Sequence, residues 1–339
     1  MSEATGRGAA ILGCEGPELL AAEAAFFRAA DPFGFILFAR NVESPAQLRR
    51  LTGDLRGAVG RDAPVFVDQE GGRVQRLRAP HWREWLPPLE FVAGAGEAAE
   101  RACWLRGRII AAELRGAGID ANCAPGLDLA LDETHPFLRN RCLAADPGEV
   151  ARLGRAMADG CLAGGVLPVV KHMPGHGRGR ADSHEALPET EADAATLSAT
   201  DFAPFRALAD LPIGMSAHMV YSSIDALPAT TSARMIALIR GEIGFDGLLL
   251  TDDLSMKALS GTLGQRAAAA IGAGCDVALY CKGVMAEAEA VVDAAGDLTP
   301  AAALRAARAL AARHPPGPVD IRAAEAELRG LMRGAADVG

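Results

Sequence analysis

Three stretches of this 339-residue chain gather side chains able to do chemistry. The densest, Lys171-His172-Met173-Pro174-Gly175-His176-Gly177-Arg178-Gly179-Arg180-Ala181-Asp182-Ser183-His184, sets three histidines, a lysine and an aspartate in a glycine-broken loop. An aspartate two residues from a histidine can fix its tautomer and make it more basic. Asp182 and His184 therefore suit general acid–base work near neutrality, although a solvated loop histidine fits the same residues. His172, His176, Asp182 and His184 could instead bind a metal. Pro174 and Gly175 stand between His172 and His176, however, and forbid the regular helix on which an H-E-x-x-H site depends.

The second stretch, Thr251-Asp252-Asp253, closes the apolar run Gly247-Leu248-Leu249-Leu250. Alternation along a strand sends adjacent carboxylates to opposite sides, so one of the pair is expected to face a site and the other to cap the next turn. The third, Asp68-Gln69-Glu70-Gly71-Gly72-Arg73-Val74-Gln75-Arg76, puts a strand-end aspartate beside arginines in a glycine-opened loop. Such a set can clamp hydroxyl or acyl oxygens through bidentate hydrogen bonds, or form a rim ion-pair network. It lacks the G-x-G-x-x-G spacing of a dinucleotide site.

These stretches need elements to hold them. Short apolar runs bounded by turn residues recur at 9–14, 34–40, 64–70, 119–125, 166–172, 212–218, 247–253 and 276–280. Helical stretches are expected at 17–30, 45–59, 97–117, 147–164, 199–209, 232–243, 264–273 and 284–295. Eight such units predict a (β/α)8 TIM-type barrel, with a doubly wound open sheet as the alternative. Arg40, Asp68, Lys171, His172, His218 and Asp252 fall at the C-terminal ends of the runs, the face that carries barrel active sites, while glycine and proline mark the N-terminal ends. The long connections 71–96 and 173–198 read as binding loops or lids. The amphipathic segment 320–333 is expected to pack on the barrel base, and residues 1–339 read as one domain.

Composition excludes several classes. A net charge of −9 gives no electrostatic case for a nucleic-acid partner. The seven cysteines show no C-x-x-C spacing and fit buried thiols in a reducing compartment. No signal-like start and no apolar run of the roughly 20 residues that span a bilayer is present, so a cytoplasmic protein without a membrane partner is expected.

Taken together, these motifs resemble the glycoside hydrolase family 3 β-N-acetylglucosaminidases, the short bacterial type of peptidoglycan recycling. Asp68 to Arg76 is similar to the family's D-x-E-G-G-x-V-x-R loop, and Ala124-Pro125 with Asp128 to its A-P-x-x-D segment. Lys171 to Gly177 resembles K-H-F-P-G-H-G, with Met173 for the usual phenylalanine. Asp182-Ser183-His184 matches D-S-H, and Thr251 to Met256 matches S/T-D-D-L-x-M. Asn140-Arg141-Cys142-Leu143 departs from the usual R-S-F or R-A-F. The resemblance implies Asp252 as nucleophile, His184 as general acid/base and Asp182 as its partner. It further implies Asp68, Arg76, Arg141, Lys171 and His172 as ligands of N-acetylglucosamine, and no metal or other cofactor. His176 is given a structural role in shaping the loop.

The implied reaction is retaining hydrolysis of terminal β-linked N-acetylglucosamine from muropeptide or anhydro-muropeptide fragments, by a monomer. The competing readings are a β-glucosidase of the same fold, attack by the substrate's own acetamido oxygen, and a metal-dependent hydrolase built on His172, His176 and His184.

Overall fold

The computed structural model describes residues 2–181 and 186–334. The apolar runs become eight strands: β1 (Gly8–Gly13), β2 (Pro32–Leu37), β3 (Val65–Val67), β4 (Ala121–Asn122), β5 (Leu167–Met173), β6 (Ile213–Ser216), β7 (Leu248–Asp253) and β8 (Val277–Tyr280). Each pairs in parallel with its sequence neighbours, and β1 pairs with β8, which closes the barrel and rules out the open sheet. The lumen is filled by Ile11, Phe33, Ile36, Phe66, Leu167, Val169, Ile213, Leu248, Leu250 and Val277, all essentially inaccessible. Each such side chain contributes about 1.5–3 kcal/mol on burial, which keeps the strand ends in fixed register.

Twelve main helices follow: α1 (Ala21–Ala30), α2 (Pro45–Val59), α3 (Pro88–Ala95), α4 (Ala99–Gly116), α5 (Pro147–Ala163), α6 (Ala194–Ala199), α7 (Ala203–Ala207), α8 (Ala233–Gly241), α9 (Leu263–Ala273), α10 (Met285–Ala295), α11 (Pro300–Ala311) and α12 (Ile321–Gly334). Their ends follow local chemistry. Ser44 accepts a hydrogen bond from the Gln47 N–H with Pro45 in the first turn, and Asp146 accepts from Glu149 with Pro147 in the first turn. The helix expected over 199–209 is instead two pieces, α6 and α7. Pro204 has no N–H to give the Thr200 carbonyl one turn back, so the first helix does not run through it; it stands instead in the first turn of α7, where that N–H is not needed.

The base of the barrel differs from expectation twice. It is closed by α11, whose Ala306 and Ala309 pack against the lumen residues, whereas α12 lies on α3 and α4. Nor are the N-terminal strand ends only glycine and proline. Buried Asp120 accepts from the Val65 N–H at 2.7 Å and pairs with Arg56 and Arg313. Buried Asp276 pairs with Arg240 at 2.6 Å and Arg305 at 3.0 Å. The long connections are partly structured. Gln69–Gly71 and Val74–Gln75 form a hairpin, and Glu189–Thr190 joins Val220–Tyr221 and Asp225–Pro228 in a small sheet. No helix of the described residues is long and apolar enough to cross a membrane.

Candidate active site

A cavity of about 230 Å³ opens at the C-terminal ends of the strands. Asp68, Arg76, Arg141, Lys171, His172, His176, Asp252 and Asp253 line it, with Phe38 and Phe137 among its apolar walls. The structure therefore gathers every sequence-predicted site residue except Asp182 and His184, which lie outside the described residues. Arg40 serves the rim differently, donating to the Cys14 and Cys281 carbonyls and so tying β1, β2 and β8 together.

Charge is arranged as an alternating lattice. Lys171 Nζ lies 3.0 Å from Asp68 and 2.6 Å from Glu70. Asp68 also accepts from Arg76 at 2.9 Å, and Glu70 takes a bidentate pair from Arg141 at 2.8 and 2.9 Å. Burial alone would raise both acids. The Lys171 and Arg76 charges nonetheless hold Asp68 well below the usual carboxylate range, and Arg141 with Lys171 holds Glu70 down to about 2. Conversely, although burial would lower it, Asp68 and Glu70 keep the Lys171 ammonium above its ordinary value. Glu70 had no role in the sequence reading. The signal available was an acid two residues past Asp68 in a loop rich in arginine, but only the fold brings Arg141 and Lys171 to it.

The loop around Glu70 depends on Gly71. Its φ is +114°, and a Cβ there would sit 2.1 Å from the Arg106 guanidinium and 2.6 Å from the Leu86 carbonyl. Arg106 is buried and donates to the carbonyls of Glu70 and Leu86, so it fixes the backbone from which the Glu70 carboxylate projects.

The histidine loop starts where β5 loses register between Val170 and Met173, which interrupts strict alternation and lets Lys171 and His172 both line the cavity. The Lys171–His172 peptide is cis. His172 Nδ1 donates to Asp128 at 2.7 Å, which leaves Nε2 facing Asp252 at 4.0 Å and the Arg141 guanidinium at 3.5 Å. Asp128 also accepts from the His176 N–H at 2.7 Å. Burial raises the Asp128 carboxyl, but His172 and His176 bring it down to about 2. Asp128 is a second residue to which the sequence reading assigned no role.

At β7 the register shifts between Leu250 and Asp253, and both aspartates reach the cavity rather than one. They differ in what holds them. Asp253 is occupied by the Ser255 N–H at 3.0 Å and hydroxyl at 2.6 Å, the turn-capping part expected of one member. Asp252 receives the Asp253 N–H at 2.7 Å and keeps 17 % side-chain exposure. Burial pushes Asp253 up; it would push Asp252 up as well, but the adjacent His172 and His218 rings keep Asp252 below the ordinary value, hence ionised at neutral pH. His218 is buried, donates from Nε2 to the Asp253 carbonyl at 3.1 Å and meets the Thr230 hydroxyl at Nδ1, 2.8 Å away. Among the described residues no group of three or more His, Cys, Asp or Glu converges as a metal site.

The depressed acids set an acid limit. Glu70 and Asp128 ionise near 2 when folded and near 4 when unfolded. Their stabilisation is complete above about pH 4.5 and is lost as pH falls through about 2. Acid titration followed by far-UV circular dichroism is expected to show this loss in that window; structure already lost near pH 5 would contradict it.

The model of the glycosyl hydrolase family 3 N terminal domain matches residues 27–311. A protein of Pseudomonas aeruginosa named beta-hexosaminidase is 39% identical over 282 residues, covering 81% of this chain and 82% of that protein. A beta-hexosaminidase of Bordetella avium is 40% identical over 257 residues, 73% of each chain. The solved structure of NagZ from Neisseria gonorrhoeae in complex with N-trifluoroacetyl-D-glucosamine superposes with a TM-score of 0.83 at 32% identity, covering 96% of this chain and 98% of that one.

Proposed function

This chain belongs to glycosyl hydrolase family 3 and is a β-N-acetylhexosaminidase, and on that footing we propose how it acts and on what. It removes terminal, non-reducing β-linked N-acetylglucosamine with retention of configuration. The observation that carries this reading is the pairing of an ionised, partly exposed Asp252 with the Asp68, Arg76, Glu70, Arg141 and Lys171 lattice in one cavity. The lattice offers several charged donors and acceptors to sugar hydroxyls at fixed positions. Asp252 is a carboxylate free to attack the anomeric carbon.

In the first step the Asp252 carboxylate forms a bond to the anomeric carbon as the glycosidic bond breaks, and the leaving oxygen takes a proton from His184, held by Asp182. Water, deprotonated by His184, then releases the sugar. A histidine acid in place of a second carboxylic acid predicts a particular defect. His184→Ala is expected to lose about 100- to 10,000-fold in turnover on natural linkages with poor leaving groups, and far less on 4-nitrophenyl glycosides, whose leaving group needs little protonation. Equal losses on both would argue against this role.

The substrate is N-acetylglucosamine linked to 1,6-anhydro-N-acetylmuramic acid in cell-wall fragments, hydrolysed in the cytoplasm by a monomer. Rates on 4-nitrophenyl N-acetyl-β-glucosaminide and the corresponding β-glucoside test the sugar. A preference for the glucoside overturns the reading, as does loss of activity on exhaustive chelation. Rates on purified anhydro-muropeptides test the aglycone, and sedimentation tests the monomer.

A further inference from the structure

The strand that delivers Asp252 leaves its ladder before it reaches the site. β6 pairs with β7 as far as Met215 opposite Leu250. On the other side, three steps along β7 from Leu250 to Asp253 match two along β8 from Val277 to Leu279. Side chains hold the backbone beyond that point. Thr251 Oγ1 accepts from the Leu279 N–H at 2.9 Å, and the Asp253 carboxylate accepts from the Cys281 N–H at 3.3 Å. Both bonds tie the turn to β8 and the residue after it. From the β6 side the grip comes from His218, two residues past that strand, which donates from Nε2 to the Asp253 carbonyl at 3.1 Å.

His218 is fully buried and stands outside the set of residues that line the cavity. A carbonyl only accepts, so Nε2 carries a proton. Burial lowers the ring below its ordinary value, so it is neutral at neutral pH and Nδ1 is the acceptor. The Thr230 hydroxyl donates to Nδ1 at 2.8 Å and meets the Ser216 hydroxyl, also at 2.8 Å. Ser216 and Thr230 are fully buried too. Three polar side chains in line are costly to bury unless each is satisfied, and apolar groups of the same shape carry no such requirement. This line ends on the residue whose own N–H donates to the Asp252 carboxylate at 2.7 Å.

We infer that His218 is a positioning residue for the nucleophile: it fixes Asp253 where the ladder has ended, and the Asp253 N–H then aims the Asp252 carboxylate into the cavity. The inference rests on Asp252 as nucleophile and adds a part to that reading. Precise placement matters there, because a shift of about 1 Å at a reacting group can lower a rate about 100-fold.

The test uses the full chain. It measures kcat/KM on 4-nitrophenyl N-acetyl-β-glucosaminide, affinity for N-acetylglucosamine by titration calorimetry, and melting temperature. His218→Leu keeps similar bulk and loses the donor. It is expected to lower kcat/KM about 10- to 100-fold. Affinity for N-acetylglucosamine stays near the wild-type value, because Asp68, Arg76, Arg141, Lys171 and His172 stand on other elements. His218→Gln puts an amide N–H where Nε2 was and is expected to recover most of the lost rate, which a role in packing alone does not predict. Thr230→Val leaves the ring in place and removes the hydroxyl that selects its tautomer, for a smaller fall of about 3- to 10-fold. Wild-type kcat/KM in folded His218→Leu protein, or in Thr230→Val should the leucine variant not fold, overturns the inference. So does an equal loss of affinity and rate, or a glutamine variant no better than leucine. The broader reading is tested apart, on the wild-type protein with a fluorinated glycosyl donor: an active enzyme that carries no adduct on Asp252 overturns Asp252 as nucleophile, and the inference with it.

Discussion

Replacing Asp252 by alanine is expected to lower kcat by about 10⁴-fold or more on any β-N-acetylglucosaminide, because the group proposed to form the covalent bond is gone. The fold should survive. Asp252 keeps 17 % side-chain exposure, accepts its one close hydrogen bond among the described residues from the neighbouring backbone N–H, and sits on β7, which is held by the buried leucines Leu248, Leu249 and Leu250. The cavity also keeps its binding lattice, so the variant should still bind N-acetylglucosamine. Asp252→Asn should behave alike, since an amide fills the same space without the nucleophilic charge. A fluorinated glycosyl donor should trap an adduct on Asp252, located by peptide mass spectrometry. An enzyme that turns over its substrate yet shows no adduct would favour attack by the acetamido oxygen. The pH dependence has a definite sign: Asp252 sits below the ordinary carboxylate value, so activity should not begin to fall on its account until the pH is below about 4.

Glu70→Ala is the second large effect, and it reaches both stability and binding. The Glu70 and Lys171 side chains are each 3% exposed and that of Arg141 is 11% exposed. Without Glu70, Arg141 loses its two close bonds to that carboxylate and Lys171 keeps, among the described residues, only Asp68. Lys171 and Arg141 are then left with Asp68, which Arg76 already shares, and stranding a buried charge in this way costs about 3–5 kcal/mol. Urea unfolding should register that loss. Affinity for N-acetylglucosamine should fall as well, because Lys171 and Arg141 are no longer held in place. Glu70→Gln keeps the shape and accepts one hydrogen bond from each partner, so its loss should be smaller. A change below about 1 kcal/mol, the scale of an exposed ion pair, would show that the lattice is not working as a buried network.

Much of this protein could be read from its sequence because the periodicities are local. The apolar runs with turn residues at their ends and the polar residues at strand C-termini come from short-range chemistry. They were enough to expect an eight-stranded barrel and to place Asp68, Lys171, His172 and Asp252 on one rim. The break between α6 and α7 was missed, because the residues around Pro204 read as a continuous helix.

Long-range geometry decided the rest. Nothing near Glu70 in the chain names Arg141, 71 residues away, as its partner. Nothing near Asp128 points to His172, 44 residues on. These pairings depend on which loops meet above the barrel, and burial then turns ordinary acids into strongly held anions. The register shifts in β5 and β7 brought adjacent residues to the same cavity, against the alternation that a sequence predicts for a strand. α11 meets the base of the barrel through Ala306 and Ala309, a contact with distant strands that periodicity does not encode. The sequence by itself thus determined which chemistry was available and on which face of the barrel. Only the tertiary structure decided which charges pair and that both aspartates of β7 reach one cavity with Lys171 and Arg141, because each of these is set by distances between residues far apart in the chain.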